Sequence, residues 1–181
     1  IWGGEFIVPQ GIDFKRVGYY KPFRLPGGEQ AIHDVWKIGL SLLYSVYGEK
    51  VFEIENIPFL KKNDSVLVKQ LLEKNINSPV TTSAGRLFDG ISAIIGIRDT
   101  ANYEAQAAME LEFATDDVKT NDYFEFSIDE LNDGTLIFNW HNIIKGVVED
   151  ISSNIPNGII AAKFHNSLAE AIVQISFKTG Y

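Results

Sequence analysis

Thr82-Ser-Ala-Gly-Arg-Leu-Phe-Asp-Gly-Ile-Ser-Ala-Ile-Ile-Gly96 and the following Tyr103-Glu-Ala-Gln-Ala-Ala-Met-Glu-Leu-Glu112 decide how this chain is read. Ser83 suits a helix N-cap, since its hydroxyl can accept an orphan N–H of the first turn. Phe88, Ile91 and Ile95 follow at helical spacing and form an apolar stripe. Gly85, Asp89, Ser92, Ala93 and Gly96 share another face, nearly free of large side chains and carrying one carboxylate. Such a face admits either a second helix at close range or a ligand. On pattern alone Asp89 is a capped or paired carboxylate in a buried helix.

Working outward, Ile1–Val8 and Ile12–Tyr20 alternate as two strands joined through Pro9-Gln-Gly11. Gly3-Gly4 is costly inside a strand and points to close backbone approach, where N–H groups can face an anion. A side chain at Gly4 is therefore expected to collide with a ligand and to disturb folding little. Pro26-Gly27-Gly28 precedes a single long amphipathic helix over Glu29–Tyr47, ended by Gly48. Asp64 is expected to cap a helix running to Glu73, with Val66, Leu67, Gln70 and Leu71 as its apolar face. Tyr103–Ala114 reads as a helix carrying Glu104, Glu110 and Glu112. Tyr123–Ile128 and Thr135–Asn139 form a hairpin through Asn132-Asp133-Gly134. Trp140–Ile151 and Asn157–Phe177 are helices, the last with the stripe Ile160, Phe164, Leu168, Ala171 and Ile175. The helices dominate: residues 1–23 are a strand region, and residues 29–177 are mainly helical with a hairpin near 123–139.

The 181 residues suffice for one domain with a sizeable core. With 45% hydrophobic and 22% charged residues the composition is that of a soluble globular protein. A net charge of -8 argues against a general nucleic-acid or anionic-membrane surface. No cysteine is present, so no thiolate chemistry or disulfide operates here. No apolar run reaches the length of a membrane span and no signal peptide is visible, which makes cytoplasm the default. His33, His141 and His165 lie far apart without ligand spacing, so no metal site is expected within the chain. G-x-S-x-G, P-loop and G-x-G-x-x-G patterns are all missing. Asp89 and Glu104, on consecutive helices, could meet across an antiparallel pair and accept bidentate hydrogen bonds from a ribose diol.

Gly85-Arg-Leu-Phe-Asp89, Gly96 and Tyr103-Glu-Ala-Gln-Ala-Ala-Met-Glu110 resemble the C-terminal carbamoyltransferase region of the HypF hydrogenase maturation family. They resemble the TsaD family and the antibiotic carbamoyltransferase TobZ more distantly. Trp2-Gly-Gly-Glu-Phe6, Lys21-Pro-Phe-Arg-Leu-Pro-Gly-Gly-Glu29 and Phe164-His-Asn-Ser-Leu-Ala-Glu-Ala171 agree in the same order. The resemblance implies an α+β / α/β fold, part of an actin/hexokinase/Hsp70-like (ribonuclease H-like) architecture with a mostly helical insertion. It assigns Gly3, Gly4 and Glu5 to the phosphate and carbamoyl group, Asp89 and Glu104 to the ribose, and Gln106 to the same pocket. Arg86 either pairs with Asp89 or orients a phosphate. Many relatives have glycine where this chain has Ala105.

By the same resemblance the complete enzyme uses carbamoyl phosphate and ATP. It carries the carbamoyl group through carbamoyl adenylate to the C-terminal cysteine of HypE, with a divalent zinc or iron ion held by residues outside this stretch. Ile at residue 1, so close to the glycine motif, suggests a piece of a partial carbamoyltransferase domain, residues 1–181. By itself the piece is expected to lack activity and tightly bound metal, and to self-associate through open strand edges at Ile7, Phe14 and Val17. The rival readings are a TobZ-like O-carbamoyltransferase and a non-catalytic helical interaction module.

Overall fold

The computed structural model describes residues 1–180, apart from the side chain of Asn63. Two N-terminal strands, β1 (Glu5–Gln10) and β2 (Asp13–Tyr20), form an antiparallel hairpin with a register shift between Phe6 and Ile7. The chain then enters the short strand β3 (Phe23–Arg24), helix α1 (Gln30–His33) and helix α2 (Val35–Tyr47). Two 3-10 turns, Gly48–Glu53 and Pro58–Lys61, lead into α3 (Asn63–Glu73). Strand β4 (Val80–Thr81) pairs antiparallel with β3 and delivers the chain to α4 (Ala84–Ile94) and α5 (Gln106–Phe113). A second hairpin, β5 (Ser127–Glu130) and β6 (Leu136–Asn139), is followed by α6 (His141–Ser152) and α7 (Asn157–Thr179).

The two hairpins join into one four-stranded sheet, in the order β1-β2-β6-β5. The join is parallel: Gly18 pairs with Leu136, Tyr19 with Ile137 and Tyr20 with Phe138. The inner edge of β2 is therefore covered by β6, which corrects the expectation that both N-terminal strands lack a neighbour. β1 remains an edge, with Ile7, Ile12 and Phe14 exposed on its hairpin. Tyr20 and Phe138 meet edge to face across the join with ring centroids 4.8 Å apart, and both are buried.

Two helices pack where the apolar periodicity places them. Ile160, Phe164, Leu168, Ala171 and Ile175 of α7 are all buried, as are Ile143 and Val147 of α6. α2 and α4 cross closely at Gly39, where an added Cβ would lie 3.2 Å from the Gly90 carbonyl oxygen. The long helix expected over Glu29–Tyr47 is broken at Asp34, whose φ of -89° and ψ of 68° are not helical. The cause is tertiary. The Ala101 N–H donates to the His33 carbonyl at 2.7 Å and the Trp36 N–H donates to the Asp99 carbonyl at 3.1 Å, so the 99–101 loop takes bonds from the helical ladder.

α3 buries a different face from the one its sequence favours. Val66 and Leu67 are exposed, whereas Ser65, Val68 and Leu72 are buried. Lys62, not Asp64, stands at its cap, and Asp64 sits in the first turn where a negative charge favours the helix dipole. Among the described residues no helix is long and apolar enough to cross a membrane.

Candidate functional site

The glycine motif lies along the start of α4. The Thr82 N–H donates to the Ile1 carbonyl at 3.0 Å, and the Ala84 N–H donates to the Gly3 carbonyl at 3.1 Å. Ser83 caps α4 as its sequence implies, its Oγ accepting from the Arg86 N–H at 3.3 Å. The Ser83 N–H in turn donates to Thr81 Oγ1 at 3.0 Å. Gly3 has φ of +153°, and an added Cβ would stand 3.2 Å from Ser83 Cα. At Gly4 a Cβ would run into the Thr82 carbonyl oxygen and come within 2.9 Å of the Tyr20 ring. Gly4 is thus a packing glycine, and the expectation that a side chain there would leave folding almost intact is corrected.

The loop already holds an anion, its own Glu5 carboxylate. Gly3 and Gly4 donate their backbone N–H groups to Glu5 Oε2 at 2.6 and 3.0 Å. Arg16 Nη2 donates to Oε1 at 3.0 Å, and the Thr82 hydroxyl donates to the same oxygen. Burial alone would raise the Glu5 carboxyl. The bonds from Thr82, Gly3 and Gly4, with the Arg16 charge, outweigh it and hold the group below the usual carboxylate value. Arg16 is itself fixed, its guanidinium lying 4.4 Å from the Trp2 ring centroid and 3.9 Å from that of Tyr19. The loop therefore has the electrostatics of an anion nest.

Asp89 sits farther along α4 and is buried at 3% exposure. Its Oδ2 pairs with Arg86 Nη1 at 2.8 Å. Desolvation dominates over the Arg86 charge and pushes the Asp89 carboxyl up to about 6. Phe88, beside it in sequence, turns to the other side and meets the Phe164 ring edge to face at 5.0 Å. Ser92, one turn beyond Asp89, has a buried hydroxyl without a hydrogen-bond partner.

The third element differs from the sequence reading. Ala105 adopts a left-handed conformation, φ 62° and ψ 8°, so α5 begins at Gln106 and Glu104 lies on the preceding turn. Glu104 is exposed there, and no hydrogen bond or ion pair joins it to Asp89. Gln106 is buried. Its Oε1 accepts from the Asn102 N–H at 2.8 Å, and its Nε2 donates to Glu110 Oε1 at 2.9 Å. Glu110 also receives two bonds from Arg98, from Nε at 2.7 Å and from Nη2 at 2.6 Å. Gln106 thus orients the turn that carries Glu104. Sequence reasoning missed Arg16, Thr82 and Arg98, which hold Glu5 and Glu110; each partner is remote in sequence, outside any helical or strand period. Among the described residues no group of three or more His, Cys, Asp or Glu could hold a metal ion.

Comparison with known proteins identifies the family. Residues 1–180 match the family described as carbamoyltransferase, Kae1-like domain, second subdomain. The chain belongs to the HypF carbamoyltransferase family. It is 33% identical over 196 aligned positions to the carbamoyltransferase HypF of Synechocystis, covering 99% of this chain and 25% of that protein. A HypF homolog of Cupriavidus necator is 28% identical across 95% of this chain and 44% of its own length. The fold superimposes on a crystal structure of full-length HypF in a phosphate- and nucleotide-bound form with a TM-score of 0.85 and 27% identity, over 99% of this chain and 23% of that one. The HypF of T. kodakarensis gives 0.73 and 25% identity over 90% of this chain and 22% of its own. The chain thus spans about a quarter of the HypF proteins of Synechocystis and T. kodakarensis that it matches.

Proposed function

We propose that this chain supplies one wall of the carbamoyl-adenylate pocket of a HypF-type enzyme. On this reading the intact protein uses carbamoyl phosphate and ATP and transfers the carbamoyl group to the C-terminal cysteine of HypE, on the route to mature nickel–iron hydrogenase. The observation that carries it is the Gly3–Gly4 loop, shaped around a carboxylate and bonded to the first turn of the helix bearing Arg86 and Asp89.

Each residue then has a task. The glycine loop faces the phosphate and carbamoyl oxygens, and Glu5 keeps it in shape. Asp89 and Glu104 accept from the ribose hydroxyls. Arg86 holds Asp89, and Gln106 sets the turn before α5. Ordering donor and acceptor in one pocket removes much of the entropic barrier to transfer. On this reading residues outside the chain hold the zinc or iron ion of the complete enzyme. The 181-residue chain by itself is inactive in transfer on this reading.

Calorimetry on the intact protein tests the assignment. Asp89→Ala is expected to weaken nucleotide binding by about tenfold or more, as loss of a charge-assisted hydrogen bond does. Unchanged nucleotide affinity removes Asp89 from the pocket.

A further inference from the structure

The segment Lys21–Glu29 takes no part in the site above. Its residues Pro22, Phe23 and Arg24 instead form one wall of a separate cleft of about 230 Å³. Ser41, Tyr44 and Ser45 of α2 and Leu72 of α3 close it. None of these residues belongs to the glycine loop or to α4, so the cleft is independent of the roles given to either.

Arg24 is the first reason to see a ligand site here. Arg16, Arg86 and Arg98 each meet a carboxylate, at 3.0, 2.8 and 2.6 Å. Arg24 meets none among the described residues. Its Nη1 donates to the Ser78 carbonyl at 3.0 Å, which fixes the plane of the guanidinium and leaves other N–H donors unspent. In a chain of net charge -8, a half-buried guanidinium without a carboxylate favours an incoming anion.

Ser41 is the second reason. The residue lines the cleft, and its hydroxyl makes no hydrogen bond with the described residues and is not among the fully buried atoms. A hydroxyl open to the cleft is free to bond a ligand oxygen. At the rim, Ser45 Oγ and His141 Nε2 share a hydrogen bond of 3.1 Å. Phe23 and Leu72, both buried, supply apolar surface.

We propose that this cleft binds a small monocarboxylate, with its carboxylate on the Arg24 guanidinium and Ser41 hydroxyl and its short alkyl chain against Phe23 and Leu72. The planar fork of a single arginine matches a carboxylate in a bidentate manner. The volume is small for a ligand site and admits a chain of only a few carbons.

The test follows the histidine ring resonances of the intact protein at constant ionic strength. His141 borders the cleft, while His33 and His165 contact the Ala101 and Ala161 carbonyls elsewhere and serve as internal references. Butyrate is expected to shift His141 saturably and to leave the other two unmoved, and inorganic phosphate to leave all three unmoved. Arg24→Gln should weaken butyrate by about tenfold or more, and Ser41→Ala by roughly threefold to tenfold. Should Arg24→Gln fail to fold, Ser41→Ala, which removes only one hydroxyl, decides the matter alone. The proposal is overturned if butyrate gives no saturable shift confined to His141, if phosphate binds in preference, or if the folded variants bind as the parent does.

Discussion

Replacing Asp89 by Asn should change how stability depends on pH, and the size of the change follows from the burial of this one carboxyl. In the folded chain the group titrates at about 6, against its ordinary 3.8. Between those two values the native state binds more protons than the unfolded state, so stability falls as pH rises through that window. The difference corresponds to about 3 kcal/mol once the group is fully ionised above pH 6. Below about pH 3 the carboxyl is neutral in both states and the parent resembles the Asn variant. Arg86 loses its charged partner in the variant, which offsets the whole comparison without giving it a slope. Urea unfolding of both proteins at a series of pH values measures the difference directly, since other titrating groups cancel. The variant should gain about 3 kcal/mol on the parent between pH 3 and pH 7. A difference that stays flat refutes the reasoning. A difference of opposite slope shows that Arg86, and not desolvation, governs the site.

The same group predicts that nucleotide binding releases a proton near pH 6, because ribose donors stabilise the ionised carboxylate; calorimetry in buffers of different ionisation enthalpy would register it, and identical heats would count against the assignment. Ala105→Gly should stabilise the chain by about 0.5–1 kcal/mol, since a left-handed Ala costs more than the extra freedom of Gly in the unfolded chain; a neutral or destabilising result in urea would show that the turn relaxes. Gly4→Ala should cost about 2 kcal/mol or more through collision with the Thr82 carbonyl and the Tyr20 ring, visible as a drop in the urea midpoint, and an unchanged midpoint would mean that the loop yields. His141 is held down at about 4 by burial first, then by Lys21 and Lys145 against the opposing Asp129; its ring resonances should therefore stay constant from pH 5.5 to 8, and a midpoint near 6.5 would contradict its packing.

The features legible in sequence are those set by a local period. Helix α7 follows from its apolar stripe, α4 from Ser83, and the β5–β6 turn from Asn132-Asp133-Gly134. What escaped depends on partners remote in the chain. The break at Asp34 is made by backbone bonds from the 99–101 loop, and no residue inside the expected helix announces it. Both candidate faces of α3 contain apolar residues, so only its neighbours select Val68 and Leu72 over Val66 and Leu67. The site divides in the same way. Glycines and carboxylates could be named from their motifs, but the occupancy of the Gly3–Gly4 nest by Glu5 depends on where Thr82 and Arg16 come to rest. Helix α5 starts later than its sequence suggests because alanine ordinarily propagates a helix, and nothing local marks Ala105 as left-handed.

The parallel pairing of Gly18–Tyr20 with Leu136–Phe138 also bears on how the chain is made. A ribosome delivers β1 and β2 first, and β6 only after all the helices from α1 to α5 have emerged. Until then the first hairpin waits with the inner edge of β2 unpaired and Tyr20 without Phe138. Closing so long a loop places this sheet among slow, non-local folding events. An unpaired strand edge held open during synthesis is where chains associate wrongly. Mutations that weaken the β2–β6 seam should therefore reduce the yield of soluble protein in cells more than they lower the equilibrium stability of molecules that have already folded.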